Sequence, residues 1–417
     1  MFNRVGCASL IGSLVLCAGS LAVAADVNWR TSLDVTTKFV NWQWGADTRK
    51  FGDYTINGSQ VWTPVTYSIM GQSQDFTLTT SLRGGYIFAD QDNKDNVANF
   101  LYRGSVHDFT DTSVQAQLQY TKSKDFVPYL MIGLNVPTGH SSLRYVDGDC
   151  CNGDGVWTGE QFSVSNSNTI ELMSTYGEGF NSQVGTGFSK KLSRNLSLAL
   201  GATYTWKGAY QSTYAIDLGR AATVNPGDQL SLSSNLQYTA DGTQYLLGLG
   251  YKIESGSSAV TISGDNTTYR HGDTMTLDAS AVHEWNDKFR TDAIFNYSHI
   301  LDNAFSRPGV SGLSPNFDRF QFEVDNTYRV SAPFSIYSKS SLSDTINPGV
   351  NFIDGLFMKG LNEYTIKGEL GTQYIIPDGP TAKLGGGAFI DKVLETDTRD
   401  AVHATGWFGS ASLVWEW

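Results

Sequence analysis

The sequence has little cysteine, little charge and no room for several long apolar runs. Only four of its 417 residues are cysteines, charged residues make up 17%, and the mean hydropathy is −0.23. A helical membrane protein needs apolar runs of about 20 residues, so this slightly polar composition excludes that class. The 10 Trp, 20 Tyr and 22 Phe residues can bury enough apolar surface to argue against a disordered chain.

Basic residues are also in short supply. The 29 Lys and Arg residues face 41 Asp and Glu residues, which gives a formal net charge of −12. Nucleic-acid binding depends on a basic surface that neutralises phosphates. The sequence therefore predicts no nucleic-acid partner.

The first 24 residues have the pattern of a secretory signal. Arg4 gives a positively charged start, residues 6–21 form an apolar core, and the Ala-Val-Ala at 22–24 fits a small-x-small cleavage site. We expect this signal peptide to be removed by cleavage. Residues 25–417 then form a single domain.

Cleavage would leave very few cysteines in the mature chain. Cys7 and Cys17 would be lost with the signal, and only the adjacent Cys150 and Cys151 would remain. A framework of disulfides is therefore excluded as the basis of stability. A lipoprotein signal through Cys17 is the alternative, although the Leu-Val-Leu before it lacks the small residue that such a site needs.

Apolar and polar residues alternate along most of the remaining chain. Between residues 28 and 40 the odd positions carry Trp, Thr, Leu, Val, Thr and Phe, while the even positions carry Asn, Arg, Ser, Asp, Thr and Lys. The same split recurs in segments 75–88, 113–121, 229–238, 319–330 and 363–374. This period of two is typical of strands with one face in an apolar medium and the other in water.

Short and long connections alternate between these segments. Turn-forming residues cluster at 71–74, 122–125, 193–195, 241–242, 286–287, 331–333 and 377–380. Longer connections lie between them, and the longest is 139–179. Short periplasmic turns and long extracellular loops are typical of outer-membrane barrels. We therefore predict an all-β fold, a closed transmembrane antiparallel up-and-down barrel of about 16 strands. Pro64 leaves 14 open as the alternative, because proline fits a fully paired strand poorly.

The end of the chain supports this prediction. Leu413, Trp415 and Trp417 share one face of the last alternating segment, and the chain stops at an aromatic residue. This segment resembles the terminal strand of Gram-negative outer-membrane proteins. The resemblance implies that the barrel-assembly machinery reads these three residues as a membrane-insertion signal. It also implies localisation in the cell outer membrane, with outer-membrane lipid and lipopolysaccharide as partners.

A barrel of about 16 strands encloses a water-filled passage rather than a packed core. The candidate pore-lining charges at inward positions are Arg83, Arg290, Arg319, Glu323, Asp325, Arg329, Lys367, Glu369 and Lys383. The other charges that the alternation directs inward are Arg30, Asp34, Lys38, Lys252, Asp278, Asp292 and Lys339. Opposed charges would create a transverse field that selects permeants. The alternative is that they pair with one another and only keep the lumen wettable.

The longest predicted loop contains a group of acidic residues and both mature cysteines. Asp147, Asp149 and Asp154 are weak candidates for a divalent-cation site, because the surrounding sequence departs from the EF-hand pattern. A solvated loop tip is the other interpretation. Cys150 and Cys151 either form a vicinal disulfide or stay a metal-capable pair.

One apolar strand carries a further resemblance. The segment Val127 to Gly139 reads VPYLMIGLNVPTG and resembles a strand of the barrel family linked to the MetA pathway of phenol degradation. The resemblance implies an outer-membrane channel for small hydrophobic or aromatic compounds.

These features predict a passive channel, or porin, for small-molecule permeants, with no enzymatic activity and no cofactor. A barrel enzyme is the alternative, because His140 and Ser142 are two residues apart near a strand end, as in lipid hydrolases that use a His/Ser pair. A structural or adhesive barrel is the third class. The sequence leaves open whether the barrel is a monomer or a homotrimer.

Overall fold

The structure is a computed structural model. It describes residues 27–46, 54–95, 100–139, 142–147, 156–158, 179–214, 220–261, 266–270, 272–301, 303–307, 310–314, 317–346, 349–352, 357–359, 362–394 and 402–417. Within these ranges, no helix is long and apolar enough to cross a membrane.

The described residues form 27 β-strands. They are β1 (Asn28–Ala46), β2 (Tyr54–Gln72), β3 (Phe76–Asp95), β4 (Phe100–Phe109), β5 (Thr112–Tyr120), β6 (Phe126–Val136), β7 (Ser142–Asp147), β8 (Val156–Thr158), β9 (Asn181–Lys191), β10 (Leu196–Trp206), β11 (Tyr210–Tyr214), β12 (Arg220–Asn225), β13 (Gln229–Ala240) and β14 (Thr243–Glu254). The chain continues with β15 (Ser257–Thr261), β16 (Asn266–Arg270), β17 (Thr274–Glu284), β18 (Phe289–Ile300), β19 (Asn303–Arg307), β20 (Val310–Ser314), β21 (Phe317–Arg329), β22 (Phe334–Ile346), β23 (Gly349–Phe352), β24 (Phe357–Lys359), β25 (Glu363–Ile375), β26 (Thr381–Val393) and β27 (Val402–Glu416).

The strands close into a barrel. β27 pairs with β1 in antiparallel register from Ser32 opposite Glu416 to Ala46 opposite Val402. The barrel wall contains 16 antiparallel strands, namely β1, β2, β3, β5, β6, β9, β10, β13, β14, β17, β18, β21, β22, β25, β26 and β27. The predicted fold class and the strand number of 16 rather than 14 are thereby confirmed.

Pro64 lies inside β2 at a gap in one of its two ladders. The register with β1 is given for Val35 opposite Val65 and resumes at Lys38 opposite Trp62, whereas the other edge of β2 pairs Pro64 with Gly85 of β3. Proline has no N–H to donate, so a locally interrupted ladder accommodates it without ending the strand.

Short turns join the strands at one end of the barrel, here called the turn side; the opposite end is the loop side. Asp241 and Gly242 connect β13 to β14 with positive φ angles of 49° and 74°. Both central residues of a tight type I′ hairpin need such angles, which is why Asp-Gly favours this turn. The predicted turns at 122–125, 193–195, 286–287, 331–333 and 377–380 also fall between paired strands.

Several of the predicted long loops contain strands of their own. β11, β12, β15, β16, β19, β20, β23 and β24 form a second, 8-stranded antiparallel sheet on the loop side. In each hairpin, strand pairing stops for a few residues after the barrel strand and then resumes in the second sheet, as between β10 and β11. Backbone pairing between neighbouring hairpins explains why these segments are more regular than their turn-rich sequences suggest.

The outer face of the wall is mostly apolar, whereas the inward face carries most of the polar and charged residues. Leu232 of β13, Phe322 of β21 and Leu384 of β26 point outward and are 43%, 47% and 64% exposed. The most buried large side chains, Trp42 and Asp391, point into the lumen instead. A surface with its largest apolar residues outward suits hydrocarbon, and closure leaves no unpaired edge within it.

Candidate functional site

Two belts of aromatic side chains bound the apolar outer surface. On the turn side the belt includes Trp29, Tyr374 and Trp417, and on the loop side it includes Trp206, Tyr251 and Tyr297. Aromatic rings with a polar atom suit the headgroup regions at the two membrane interfaces. The outer surface is therefore that of a membrane-spanning barrel.

A tyrosine–aspartate hydrogen bond recurs along the loop-side rim. Tyr204, Tyr251 and Tyr297 donate their hydroxyls to Asp228, Asp273 and Asp318 at 2.9, 2.6 and 2.7 Å. Asp318 also lies 2.8 Å from Nδ1 of His299. Each aspartate lies at or just before the start of the neighbouring strand, so the bonds tie adjacent strands together where the wall changes from one sheet to the other.

One part of the lumen is lined by uncharged polar residues. We call the inward face of β5, β6, β9, β10 and β13 the amide wall. Its inward side chains within the span are mostly Gln, Asn, Ser, Thr and Gly, and the charged exception is Lys191 at the turn-side end. In this wall Gln115 donates to the sulfur of Met131 at 2.6 Å. Such residues hydrate a lumen without creating an ionic field.

Another part of the lumen carries charges of both signs. We call the inward face of β18, β21, β22, β25, β26 and β1 the charged wall. Its inward charges are Arg30, Asp34, Lys38, Arg290, Asp292, Arg319, Glu323, Asp325, Arg329, Lys339, Glu363, Lys367, Glu369, Lys383 and Asp391. The predicted inward charges are thus concentrated on one side of the barrel.

A cavity of about 370 Å³ lies in the lumen against β21, β22, β25, β27, β1 and β2. We call it the lumen cavity. The charged side chains that line it are Lys38, Arg319, Glu323, Lys339, Lys367 and Glu369. Trp62 and Phe408 line it from β2 and β27. Four cationic groups therefore share this space with two anionic ones.

Contacts within the chain hold several of these charges in place. Lys339 Nζ lies 2.6 Å from Glu323 Oε1 and 4.0 Å from Asp325 Oδ2. Glu369 accepts hydrogen bonds from the hydroxyls of Tyr337 at 2.9 Å and Ser410 at 3.3 Å. These contacts span β21 to β27, so they orient both carboxylates of the cavity wall across several strands.

The position of Glu369 depends on two glycines. A Cβ on Gly371 would overlap the ring of Tyr337, and a Cβ on Gly385 would overlap the Tyr337 hydroxyl and the Glu369 carboxylate. The amide wall contains the same device, because a Cβ on Gly201 would overlap the hydroxyl of Tyr129. In both walls an inward tyrosine crosses neighbouring strands over glycine.

A smaller cavity of about 220 Å³ lies beside the amide wall. Arg83 lines it together with Gln115, Asn135 and Gln183. None of its lining residues also lines the lumen cavity, so Arg83 lies apart from the cations of that cavity.

The structure brings together some of the predicted pore-lining charges and separates others. Arg319, Glu323, Lys367 and Glu369 line the lumen cavity, and Asp325 lies beside it. The remaining four lie elsewhere on inward register positions, and they are Arg83, Arg290, Arg329 and Lys383. Arg290 is held by Asp292 through Nε and Nη2 at 2.7 and 2.8 Å. Whether any of these residues selects solutes stays a prediction.

Sequence reasoning did not single out the aromatic members of the cavity. Alternation assigned apolar residues to lipid, yet Trp62 and Phe408 point inward, opposite Lys38 and Gly387. The inward direction of Phe408 could have been predicted, because Phe408 lies on the same face of its strand as the polar residues Ser410 and Ser412. Lys38 and Lys339 were predicted to point inward, but nothing in the sequence linked them to one cavity.

Several other predicted features lie outside the described residues. These are the signal peptide at 1–24, His140, Asp149, Asp154 and the pair Cys150 and Cys151. Of the loop candidates, Asp147 ends β7 and Ser142 begins it. Among the described residues, no group of three or more His, Cys, Asp or Glu side chains could hold a metal ion. Leu413, Trp415 and Trp417 are exposed at the end of the chain, and their role as an insertion signal stays a prediction.

Comparisons with known proteins found similar architectures only among solved structures. No protein-family model and no curated protein match the chain. A deltaS2S3 mutant of the monoaromatic hydrocarbon channel TodX is 10% identical, with a TM-score of 0.42 over 95% of this chain and 92% of that one. The toluene transporter TodX of P. putida is 11% identical, with a TM-score of 0.41 over 95% and 90%. OccK7 (OpdD) of Pseudomonas aeruginosa is 10% identical, with a TM-score of 0.40 over 93% and 99%. At TM-scores of 0.40 to 0.42, these likenesses carry no argument about this chain.

Proposed function

We propose that this barrel is a passive channel of the Gram-negative outer membrane for small solutes. The observation that carries the proposal is a closed wall of 16 strands whose inward face carries the amide wall and the charged wall. A barrel of this size is too wide for its own side chains to fill, so water occupies the remaining lumen. Diffusion through such a lumen needs no catalytic group, and we propose no enzymatic activity and no cofactor.

Features of the chain's own sequence and surface support the proposed location. The apolar belt and its aromatic borders fit outer-membrane lipid and lipopolysaccharide, and residues 1–24 have the pattern of a cleaved export signal. The barrel-assembly machinery is the proposed partner of the terminal strand, through Leu413, Trp415 and Trp417. The assembly is either a monomer or a homotrimer.

Liposome swelling tests the channel directly. The full mature chain is refolded into liposomes, which are then diluted into isotonic neutral sugars and amino acids of increasing size. We expect swelling that slows as the solute grows, because a passive lumen discriminates by size. Swelling no faster than that of protein-free liposomes would contradict the proposal.

Two neighbouring serines of β22 provide a matched pair of variants. Ser341 lines the lumen cavity, whereas Ser340 lies on the outward face of the same strand. We expect Ser341→Trp to slow swelling, most strongly with the larger solutes, and Ser340→Trp to leave the rate unchanged. Equal rates in both variants would show that the solutes do not pass beside the lumen cavity.

A further inference from the structure

The lumen cavity has a chemical character of its own. We infer that it binds a small organic anion with a flat ring and a carboxylate, such as a benzoate-like solute. The inference rests on the proposed channel function, since the cavity lies in the lumen and a solute would reach it through the pore. It goes further by assigning a binding site and the class of solute that the site takes.

The first argument is the charge of the cavity. The lining contains four cationic groups and two carboxylates, Glu323 and Glu369. The cationic groups are Lys38, Arg319, Lys339 and Lys367, and Lys339 lies 2.6 Å from Glu323. Arginine has five N–H donors and lysine three, so each can bind a solute in addition to its contacts within the chain. An anion gains from this excess of cationic groups where a neutral solute does not, and a carboxylate matches the planar fork of arginine.

The second argument is the position of the aromatic rings. Trp62 on β2 and Phe408 on β27 flank β1, so they approach the cavity from the same side. Arg319 and Lys367 approach it from β21 and β25. A solute with a ring at one end and a carboxylate at the other can contact both sides at once. An inorganic anion would leave the rings unused, and a hydrocarbon would leave the cations without an acceptor.

The third argument is the size of the cavity. Its volume of about 370 Å³ suits a solute with one ring.

Three probes separate the charge from the ring. Binding of benzoate, benzamide and acetate to the refolded full mature chain is measured by equilibrium dialysis in detergent, and each is also tested as a blocker of single-channel current. We expect benzoate to bind about tenfold more tightly than neutral benzamide or ring-free acetate, because only benzoate uses both sides of the cavity. Equal binding of all three probes would overturn the inference.

A matched pair of lysine variants locates the site. Lys367 lines the cavity, whereas Lys252 points into the lumen from β14 and is not part of its lining. We expect Lys367→Gln to weaken benzoate binding about tenfold and Lys252→Gln to leave it unchanged. Trp62→Leu should weaken the binding of benzoate and leave the binding of acetate unchanged. Equal losses in both lysine variants would mean diffuse charge attraction and would overturn the assigned site.

The two measurements distinguish failure of this inference from failure of the channel. If the barrel conducts but shows no preference for benzoate by dialysis or current block, the proposed channel stands and the proposed binding site is wrong. If a folded barrel binds benzoate selectively but carries no current, the binding site stands and passive diffusion is wrong. If Lys367→Gln does not fold, Arg319→Gln replaces it, and the comparison of the three probes on the unaltered chain stands without any variant.

Discussion

The amide wall and the charged wall have the same backbone architecture and the same apolar outer surface, but they differ in what they present to the lumen. Both consist of antiparallel strands, and both use an inward tyrosine packed over glycine. One wall presents amides and hydroxyls, and the other presents charges of both signs. The outer face is constrained by lipid all round the barrel, whereas the inward positions are free to differ, so the information about solutes is concentrated there.

The two walls also affect solutes in the lumen in different ways. Uncharged polar residues keep water in the passage, and opposed charges add a field across it that acts on charged or dipolar solutes. Lys38, Arg319 and Lys367 lie within that field and around one cavity. Arg83 lies apart from it in a smaller cavity beside the amide wall.

The largest expected effect tests whether the two walls are alike on their outer faces. Leu232 faces outward behind the amide wall, and Phe322 faces outward behind the charged wall. We expect Leu232→Arg and Phe322→Arg each to lower the free energy of unfolding by about 2–4 kcal/mol, because a charge near the membrane midplane is poorly solvated. Denaturant titration in lipid vesicles measures this. A large difference between the two variants would break the equivalence of the outer faces.

Glycine substitutions compare the tyrosine contacts of the two walls. We expect Gly385→Ala and Gly201→Ala each to cost about 1–3 kcal/mol of unfolding free energy, because the added methyl overlaps a tyrosine hydroxyl. Gly368→Ala is the control, because a Cβ there meets nothing within 4 Å. Only Gly385→Ala should also alter ion selectivity, since it displaces Glu369 as well. Full stability of both tyrosine-contact variants would show that these contacts do not constrain the wall.

Charge reversal distinguishes the walls by function rather than stability. We expect Arg319→Glu to shift the anion-to-cation permeability ratio about fivefold toward cations, as a change of about 1 kcal/mol in a watery lumen implies. Arg83→Glu and Arg329→Glu should shift it less, because these residues lie outside the lumen cavity. Arg290→Glu should also shift it less, because Arg290 lies at the turn-side end of β18, outside the lumen cavity. Reversal potentials under a salt gradient measure the order, and four unchanged values would remove these arginines from any role in selectivity.

The smallest expected effect concerns the rim bonds that both walls share. We expect Tyr204→Phe to cost about 1 kcal/mol of unfolding free energy through loss of its hydrogen bond to Asp228. Tyr297→Phe should cost a similar amount, because each aspartate keeps a second contact. Asp228 accepts a hydrogen bond from the backbone N–H of Lys207, and Asp318 contacts His299. The same vesicle denaturation experiment compares the two variants. A clear difference between them would show that the two second contacts do not support the aspartates equally.

The barrel architecture could be predicted from the sequence because a lipid-facing strand alternates apolar and polar residues. Most outward positions are apolar, so the strand faces, the turns and the aromatic belts could be predicted from period and composition. The second sheet on the loop side could not be predicted, because pairing between hairpins depends on backbone hydrogen bonds and places little constraint on side-chain type. The lumen cavity was only partly foreseeable. Alternation turns Arg319 and Lys367 inward, but their grouping with Lys38, Trp62 and Phe408 depends on closure between β27 and β1, which brings the two ends of the chain together.

The most direct test of the channel is the single-channel current of the refolded mature chain in a planar bilayer under a salt gradient. The account predicts stable, ohmic current steps and a reversal potential that moves toward cation preference in Arg319→Glu. A correctly folded and inserted barrel that carries no current would contradict it.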